Sequence, residues 1–162
     1  MQTDNMNTKN YPVFTMTFGI SGSGKSSYVR KNNPNRLVVC PDLIRKEIFG
    51  DISNQSDNRL VWSRAIGRME GALLSKKGVI LDATNLEVDK FTNMIEKLPK
   101  CYRIAWFFDV PPALAFDRIQ RDFIMGRERA NVPREVVFAQ YKLIESVKNV
   151  LPKYFDEVII IK

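Results

Sequence analysis

The stretch GISGSGKSS at residues 19–27 decides the fold prediction, because its first eight residues match the pattern GxxxxGK[ST]. The apolar run VFTMTF at 13–18 precedes it, and a segment with helical character begins at Lys25. A glycine-rich loop between a strand and a helix turns backbone N–H groups toward a phosphate, and the helix N-terminus adds partial positive charge. The motif and its position therefore predict a phosphate-binding loop that holds a nucleoside triphosphate.

Separate tasks are predicted for the residues of this loop. Lys25 is expected to reach the β- and γ-phosphates, and the Ser26 hydroxyl is expected to face Mg²⁺. The nucleotide, which we take to be ATP, would contact Ser21, Gly22, Ser23, Gly24, Lys25, Ser26 and Ser27. The alternative is a plain strand–helix turn without a ligand. No NKxD string is present for guanine recognition, and 162 residues suit a small phosphotransferase better than a motor.

Beyond the loop, apolar runs alternate with helical patterns along the chain. We predict five strands, at 13–18, 37–40, 78–81, 103–108 and 158–161. We predict six helices, at 25–31, 41–49, 57–77, 88–97, 112–125 and 133–148. Alternating strands and helices indicate an α/β domain, and continuous apolar strands are typical of a mostly parallel sheet with helices on both faces.

Composition places the chain among ordinary globular domains. It is 44% hydrophobic and 27% charged, so we expect one domain over residues 12–162 after a disordered polar arm at 1–11. The longest apolar runs fall far short of a membrane span, and the first ten residues show no signal or transit pattern. We therefore expect a cytoplasmic protein without a membrane partner.

The absence of histidine limits the chemistry. It excludes the Ser-His-Asp triad, the Cys-His pair and the HExxH zinc site, so a general base has to be another side chain, most naturally a carboxylate. Cys40 and Cys101 lack CxxC spacing and are expected to be buried, reduced thiols. The net charge of +7 is compatible with a nucleic acid or a nucleotide as partner.

Two further strand ends carry polar residues that could face the acceptor. Asp42 and Arg45 follow the second strand, three residues apart on a predicted helix, where Asp42 could take a proton from a hydroxyl and Arg45 could clamp an anion. The alternative is a local ion pair at a helix start. The third strand ends in Asp82, a candidate for the metal side, followed by Thr84 and Asn85, which could bind the acceptor or cap the next helix.

Arginines are frequent between residues 118 and 134, interleaved with acids. A phosphotransferase has to neutralise the transferring group, and an arginine on a lid can do so. Arg121 and Arg127 flank Gly126, a plausible flexible point, and are the candidates for that task. We expect Arg118, Arg129 and Arg134 to lie on a solvated, salt-bridged helix surface.

The motifs GISGSGKSS, PDLIR, GVILDATNLE, FFDVP and RERANVP, in this order, resemble the kinase domain of the phage polynucleotide kinase family. These are 5′-hydroxyl kinases of RNA and DNA repair, and the resemblance covers about residues 13–148. It implies a P-loop kinase fold with sheet order 2-3-1-4-5, use of ATP and Mg²⁺, and a nucleic acid with a 5′-hydroxyl end as acceptor. A wider group of small kinases and zeta-toxin-like proteins shares many of these motifs.

The resemblance also implies roles for particular residues. Asp42 matches the general base, Arg45 the residue that holds the acceptor's phosphate, and Arg127 the lid arginine, with Arg121 in reserve. Ser26, Asp42 and Asp82 are the residues assigned to the metal side, although the family's acidic residue corresponds to Ala83 here. No DxD motif is present, so a 3′-phosphatase activity is not expected. A kinase of a small molecule and a nucleotide-dependent nucleic-acid-binding protein remain the alternatives.

Overall fold

A computed structural model describes residues 10–162. They contain one five-stranded sheet. The strands are β1 (Val13–Phe18), β2 (Leu37–Val39), β3 (Val79–Leu81), β4 (Tyr102–Phe108) and β5 (Glu157–Ile161). All pairings are parallel and the order is β2-β3-β1-β4-β5. Met16 of β1 lies opposite Leu81 on one side and Ala105 on the other. The predicted parallel sheet and its order are confirmed.

Helices cover both faces of the sheet. They are α1 (Lys25–Asn32), α2 (Pro41–Phe49), α3 (Asn58–Leu74), α4 (Val88–Glu96), α5 (Pro112–Ile124), α6 (Arg134–Tyr141) and α7 (Ile144–Tyr154). Alternate residues of β1 point to opposite faces, as in any strand. Phe14, Met16 and Phe18 enter the larger core, which α2 to α7 complete. On the other face, Val29 and Tyr28 of α1 pack on Ile80, Trp106 and neighbouring strand residues.

The helix predicted at 133–148 is wrong in its extent. The structure has two helices there, α6 and α7, separated at Lys142 and Leu143. Each has its own buried residues, Val137 in α6 and Val147 and Leu151 in α7, and α7 runs on through Pro152. Pro152 has no N–H to donate to the Lys148 carbonyl oxygen, four residues earlier, and the helix ends two residues after it.

The predicted bounds of β1 and α2 match the observed ones and, apart from the helix predicted at 133–148, those of the other elements differ by one to three residues. The largest difference is at 57–77, where Asp57 is the cap of α3 rather than its first residue and the helix ends at Leu74. Tyr11, expected in a disordered arm, is described and lies under the Lys100 ammonium, 4.6 Å from its ring centroid, whereas residues 1–9 of that arm lie outside the described residues. Cys40 and Cys101 are free thiols and only partly buried.

All strands point the same way, so the loops after β1, β2, β3 and β4 meet at one edge of the sheet. In parallel sheets ligands bind outside this carboxyl edge. The phosphate loop, Asp42 and Asp82 all lie there. Within residues 10–162, no helix is both long enough and apolar enough to cross a membrane.

Candidate active site

Two glycines set the path of the phosphate loop. Gly22 and Gly24 have positive φ angles of 81° and 93°, which other residues adopt only with strain. A Cβ on Gly22 would lie 2.2 Å from the carbonyl oxygen of Ala115. The loop therefore packs tightly against α5, and its backbone is shaped before any ligand arrives.

Hydrogen bonds from three other elements fix the loop in place. The Gly19 N–H donates to the Thr84 carbonyl oxygen at 3.1 Å. The Ser21 N–H donates to the side-chain oxygen of Gln140 in α6 at 2.8 Å. Arg118 of α5 donates from Nη1 to the Ser23 carbonyl oxygen at 3.3 Å. The loop is thus joined to the segment after β3, to α5 and to α6, and not only to its flanking strand and helix.

Lys25 is buried in the loop with its ammonium held by the loop itself. Its Nζ donates to the Ile20 carbonyl oxygen at 2.7 Å and to Ser23 Oγ at 3.2 Å. Burial lowers the pKa of Lys25 to about 8, because the charged form is poorly solvated there. The nearby Arg129 charge lowers this pKa further, whereas Asp82 and Asp42 act in the opposite direction. A polyphosphate would supply the negative charge that this buried amine lacks.

Ser26, in the first turn of α1, and Asp82, directly after β3, are hydrogen-bonded to each other. Asp82 is 6% exposed, and burial raises its pKa. A hydrogen bond from the Ser26 hydroxyl and the charge of Lys25 both partly oppose this rise. A hydroxyl and a buried carboxylate are hard oxygen ligands of the kind that Mg²⁺ binds together with phosphate oxygens and water. The chemistry of the two residues therefore fits a magnesium ion, and their role as its ligands stays a prediction.

Within residues 10–162, Ser26 and Asp82 are not part of a larger group of metal-ligating side chains. Among residues 10–162, no group of three or more acidic or cysteine side chains is arranged to hold a metal ion. A site with few protein ligands is usual for Mg²⁺, which keeps several waters and binds substrate phosphates. Asp42 influences the pKa of Asp82 through its charge, but its carboxylate is engaged by Arg45.

Asp42 and Arg45 form a close pair in the first turns of α2. Arg45 Nη1 donates to Asp42 Oδ1 at 2.5 Å. The Arg45 side chain is 10% exposed and that of Asp42 is 49% exposed, so the carboxylate is open to a substrate. Arg45 also donates from Nε and Nη2 to Asn58 Oδ1, at 3.3 and 3.1 Å. The local ion pair considered above does form, but it lies at the sheet edge beside the phosphate loop.

The arginine loop, defined here as residues 125–133, follows α5 and crosses toward α2. Arg127 and Arg129 both donate to the carboxylate of Asp122, at 3.0 and 2.7 Å. The two arginines differ in exposure, with 63% of the Arg127 side chain exposed against 24% for Arg129. The Nε of Arg129 is buried and, among the described residues, has no hydrogen-bond partner. Glu128 reaches across to Lys46 of α2 at 2.6 Å.

Arg118 is exposed, as expected, but Arg129 is not solvated as expected, since only 24% of its side chain is exposed although it does form an ion pair. The Arg129 charge acts on Lys25, and Arg118 donates to the loop backbone at Ser23. Arg127 and Arg121, the sequence-based candidates for the lid arginine, are exposed. Arg134 lies over the ring of Phe138, 4.8 Å from its centroid.

Thr84 and Asn85 lie in the loop after β3 and hold that loop against the end of β1. The Thr84 carbonyl oxygen accepts from Gly19, as described above, and the Asn85 amide donates to the Thr17 carbonyl oxygen at 2.8 Å. Asn85 has a φ of 53° and is not the cap of α4, since that position belongs to Glu87. Both residues thus connect β1 to the end of β3, beside the site.

Sequence reasoning missed four residues that shape this site, namely Asn58, Arg118, Arg129 and Gln140. Each reaches the site from an element distant in sequence from the residue it contacts. Among these, only the two arginines gave a signal, because they belong to the arginine-rich stretch. Nothing in a single sequence marks an asparagine at a helix start or a glutamine in α6 as neighbours of a phosphate loop.

Comparison with known families gives one match over most of the chain. The family described as AAA domain matches residues 14–146, from β1 into α7. No curated protein matches the sequence.

Solved structures share the fold. A chain of the Pnkp1/Rnl/Hen1 RNA repair complex superposes with a TM-score of 0.74 at 20% identity, over 88% of this chain and 47% of that one. A second structure of the Pnkp1/Rnl/Hen1 complex gives 0.62 at 26% identity, over 69% and 40%. A gluconokinase from Sinorhizobium meliloti 1021 gives 0.56 at 17% identity, over 94% and 83%. The chain spans less than half the length of the RNA repair chains and most of the gluconokinase.

Proposed function

The chain belongs to the AAA domain family and has a P-loop kinase fold, and from this premise we propose that it transfers the γ-phosphate of ATP to the 5′-hydroxyl end of RNA or DNA. The observation that carries the proposal is the Asp42–Arg45 pair beside the phosphate loop. It puts a proton acceptor and an anion-binding guanidinium next to each other on the acceptor side. A 5′-terminal nucleotide offers the matching groups, a hydroxyl and a nearby phosphate.

On the donor side, the loop would bind the triphosphate through backbone N–H groups and Lys25. Protonated Lys25 would exchange its bonds to Ile20 and Ser23 for phosphate oxygens. Ser26 and Asp82 would hold Mg²⁺, which, when bound, neutralises charge on the phosphates. Arg129, with its buried and unpartnered Nε, is the best-placed arginine to meet the charge that develops on the transferring group.

On the acceptor side, Asp42 would receive the proton of the attacking 5′-hydroxyl. Its carboxylate is half exposed, so a hydroxyl can reach it from solvent. Its second oxygen is not needed for the contact with Arg45, which uses Oδ1. Arg45 would bind the phosphate that follows the terminal nucleoside and so orient the hydroxyl toward the donor.

Three lines of support favour a polynucleotide acceptor. The motif set resembles polynucleotide kinases, the net charge is +7, and a chain of an RNA repair complex shares the fold at 26% identity. One observation favours a small-molecule acceptor instead, namely the near full-length likeness to a gluconokinase. A sugar acid would offer its carboxylate to the Arg45 guanidinium, so the transfer assay has to separate the two acceptor classes.

The test is a transfer assay with ATP labelled at the γ-phosphate. The acceptors are single-stranded RNA and DNA oligonucleotides with a 5′-hydroxyl, the same oligonucleotides with a 5′-phosphate, and a panel of nucleosides and sugar acids. We expect strong labelling of the 5′-hydroxyl ends and much weaker labelling of nucleosides, which lack the phosphate that Arg45 would bind. Label on a small molecule alone would support the small-molecule kinase, and oligonucleotide binding without transfer would support a nucleotide-dependent binding protein.

A further inference from the structure

We propose that Asn58 is a positioning residue for the acceptor, because its side-chain oxygen sets the orientation in which Arg45 meets the acceptor's phosphate. The inference rests on the proposed function, since it deepens the role of Arg45 in that site. Asn58 is the first residue of α3, and Arg45 lies in α2. No motif connects the two positions, which are 13 residues apart.

The geometry around the guanidinium carries this inference. Two of its nitrogens, Nε and Nη2, donate to Asn58 Oδ1, and the third, Nη1, donates to Asp42. A guanidinium has five N–H groups and no acceptor. Three are used in these contacts, which leaves one on each terminal nitrogen. Two such N–H groups are what a bidentate contact with a phosphate requires.

Burial makes this orientation depend on Asn58. The Arg45 side chain is 10% exposed, so its Nε cannot turn freely to water if its partner is removed. A buried donor without a partner is costly, and the guanidinium would shift to regain a hydrogen bond. Asp42 is the other partner, so the guanidinium would turn toward Asp42, and its free N–H groups would turn away from the acceptor's phosphate.

The neutral amide suits this task better than a carboxylate would. Asp42 already supplies one negative charge to Arg45. A second carboxylate at position 58 would hold the guanidinium equally well but would compete with the acceptor's phosphate for its charge. Asn58→Asp should therefore keep the orientation of the Arg45 guanidinium and weaken its affinity for the acceptor's phosphate.

Asn58 can be changed without removing the cap of α3. The cap is Asp57, whose carboxylate accepts from the Leu60 N–H at 3.0 Å. Asn58→Ala therefore leaves the start of the helix intact, and alanine is a good helix former. Ser63→Ala, at an exposed position of the same helix, is the matched control.

The kinetic experiment compares two acceptors, a nucleoside 3′-phosphate and the nucleoside without that phosphate. For Asn58→Ala we expect KM for the phosphorylated acceptor to rise about 10-fold, with kcat within about 3-fold and KM for ATP unchanged. KM for the plain nucleoside should not change. In an Arg45→Ala background, Asn58→Ala should add nothing, because its effect passes through Arg45.

A spectroscopic experiment tests the orientation without relying on activity. In protein labelled with ¹⁵N-arginine, the Nε–H signal of Arg45 is assigned by its loss in Arg45→Lys. We expect slow exchange with water in the wild type and in Asn58→Asp, and exchange about 10-fold faster or more in Asn58→Ala. Equal exchange in the wild type and Asn58→Ala would overturn the orientation.

Failure of the inference and failure of the proposed function give different results. An Asn58→Ala protein that matches Ser63→Ala in KM, or that adds its effect to that of Arg45→Ala, would overturn the inference while the wild type still phosphorylates 5′-hydroxyl ends. A wild type that phosphorylates no 5′-hydroxyl acceptor would overturn the proposed function and the acceptor role of Asn58 with it.

Discussion

The phosphate loop and the arginine loop lie at the same edge of the sheet, yet different interactions hold them. In the phosphate loop, Gly22 and Gly24 fix the backbone and Lys25 is buried among loop oxygens. In the arginine loop, side chains pair with one another, since Asp122 engages two arginines and Glu128 engages Lys46. One region is shaped by backbone packing and the other by ion pairs near the surface.

This difference indicates which parts of the site are preformed. The exposed ion pair between Glu128 and Lys46 contributes little to stability. The Arg129–Asp122 pair is less exposed, and the phosphates of ATP supply negative charge that can replace Asp122 as the partner of Arg129. A backbone held by positive φ angles and tight packing does not rearrange at such low cost. We therefore expect the phosphate loop to keep its form on ATP binding, while Asp122 releases Arg129 to the donor.

The largest expected effect is in the preformed region. Lys25→Met should reduce phosphate transfer at least ~10⁴-fold, because it removes the one ammonium that lies inside the loop. Steady-state assays with a 5′-hydroxyl oligonucleotide measure this loss. Activity near that of the wild type would contradict the kinase assignment.

The same variant tests whether burial of Lys25 is a cost to the folded protein. The pKa of Lys25 is about 8 in the folded protein, below the ordinary 10.5 of an unfolded chain, so the unfolded chain binds the proton more tightly. At pH 7 the amine is charged in both states, and this difference in pKa lowers the free energy of unfolding. Lys25→Met should therefore melt no lower than the wild type at pH 7, and its stability relative to the wild type should shrink as pH rises from 8 toward 10.5. A marked fall in melting temperature at pH 7 would show that the ammonium stabilises the loop.

The next effect sharpens the comparison inside the arginine loop. Arg129→Ala should lower kcat ~10³-fold if its guanidinium meets the transferring group, whereas Arg127→Ala should cost less than ~10-fold. The sequence resemblance predicts the reverse order. Arg127 and Arg129 share Asp122 as partner, so each is the matched control for the other. A larger loss for Arg127→Ala would favour the assignment made from the sequence.

A smaller effect concerns pH. Bound phosphates raise the pKa of Lys25, so ATP binding above pH 8 must take up a proton. We expect ATP affinity to be nearly constant below pH 8 and to fall by up to about 10-fold for each pH unit above it. Calorimetry in buffers of different ionisation enthalpy measures the proton uptake. Affinity that stays level from pH 7 to 9.5 would mean that Lys25 is fully charged in the free protein.

The smallest effect lies at the contact between the arginine loop and α2. Glu128→Gln removes the ion pair with Lys46. The Glu128 side chain is 59% exposed and that of Lys46 is 48% exposed. We expect at most about a 3-fold change in kcat, which disappears in high salt. A loss above 10-fold that persists in salt would mean that this contact holds the site closed. Lys46→Met should reproduce the effect of Glu128→Gln.

The fold could be predicted from the sequence because its signals are local. The GxxxxGK[ST] motif, short apolar strands and proline-opened helices lie within a few residues of each other. The break between α6 and α7 was missed because both helices bury residues of similar type at helical spacing. The residues between the two helices, Lys142 and Leu143, are neither glycine nor proline, so the sequence does not mark the break.

Residues of the site could be predicted only where they come soon after the end of a strand. Asp82 follows β3 directly, Lys25 and Ser26 follow β1 across the phosphate loop, and the structure brings the three together. Asn58 and Gln140 depend on how whole helices pack on one another. Arg129 differs from Arg127 only through burial, which alternation of charged residues in a sequence does not reveal. Whether Arg127 or Arg129 serves the donor stays a prediction.

Steady-state kinetics of Asp42→Asn on a 5′-hydroxyl oligonucleotide, with ATP affinity measured separately, test the central claim most directly. The asparagine keeps the size of the side chain and its Oδ1, so Arg45 retains a hydrogen-bond partner. It removes the proton acceptor, which is typically worth ~10²–10⁴ in rate. The account predicts a fall of that size in kcat with ATP affinity little changed, and turnover within a few-fold of the wild type would contradict it.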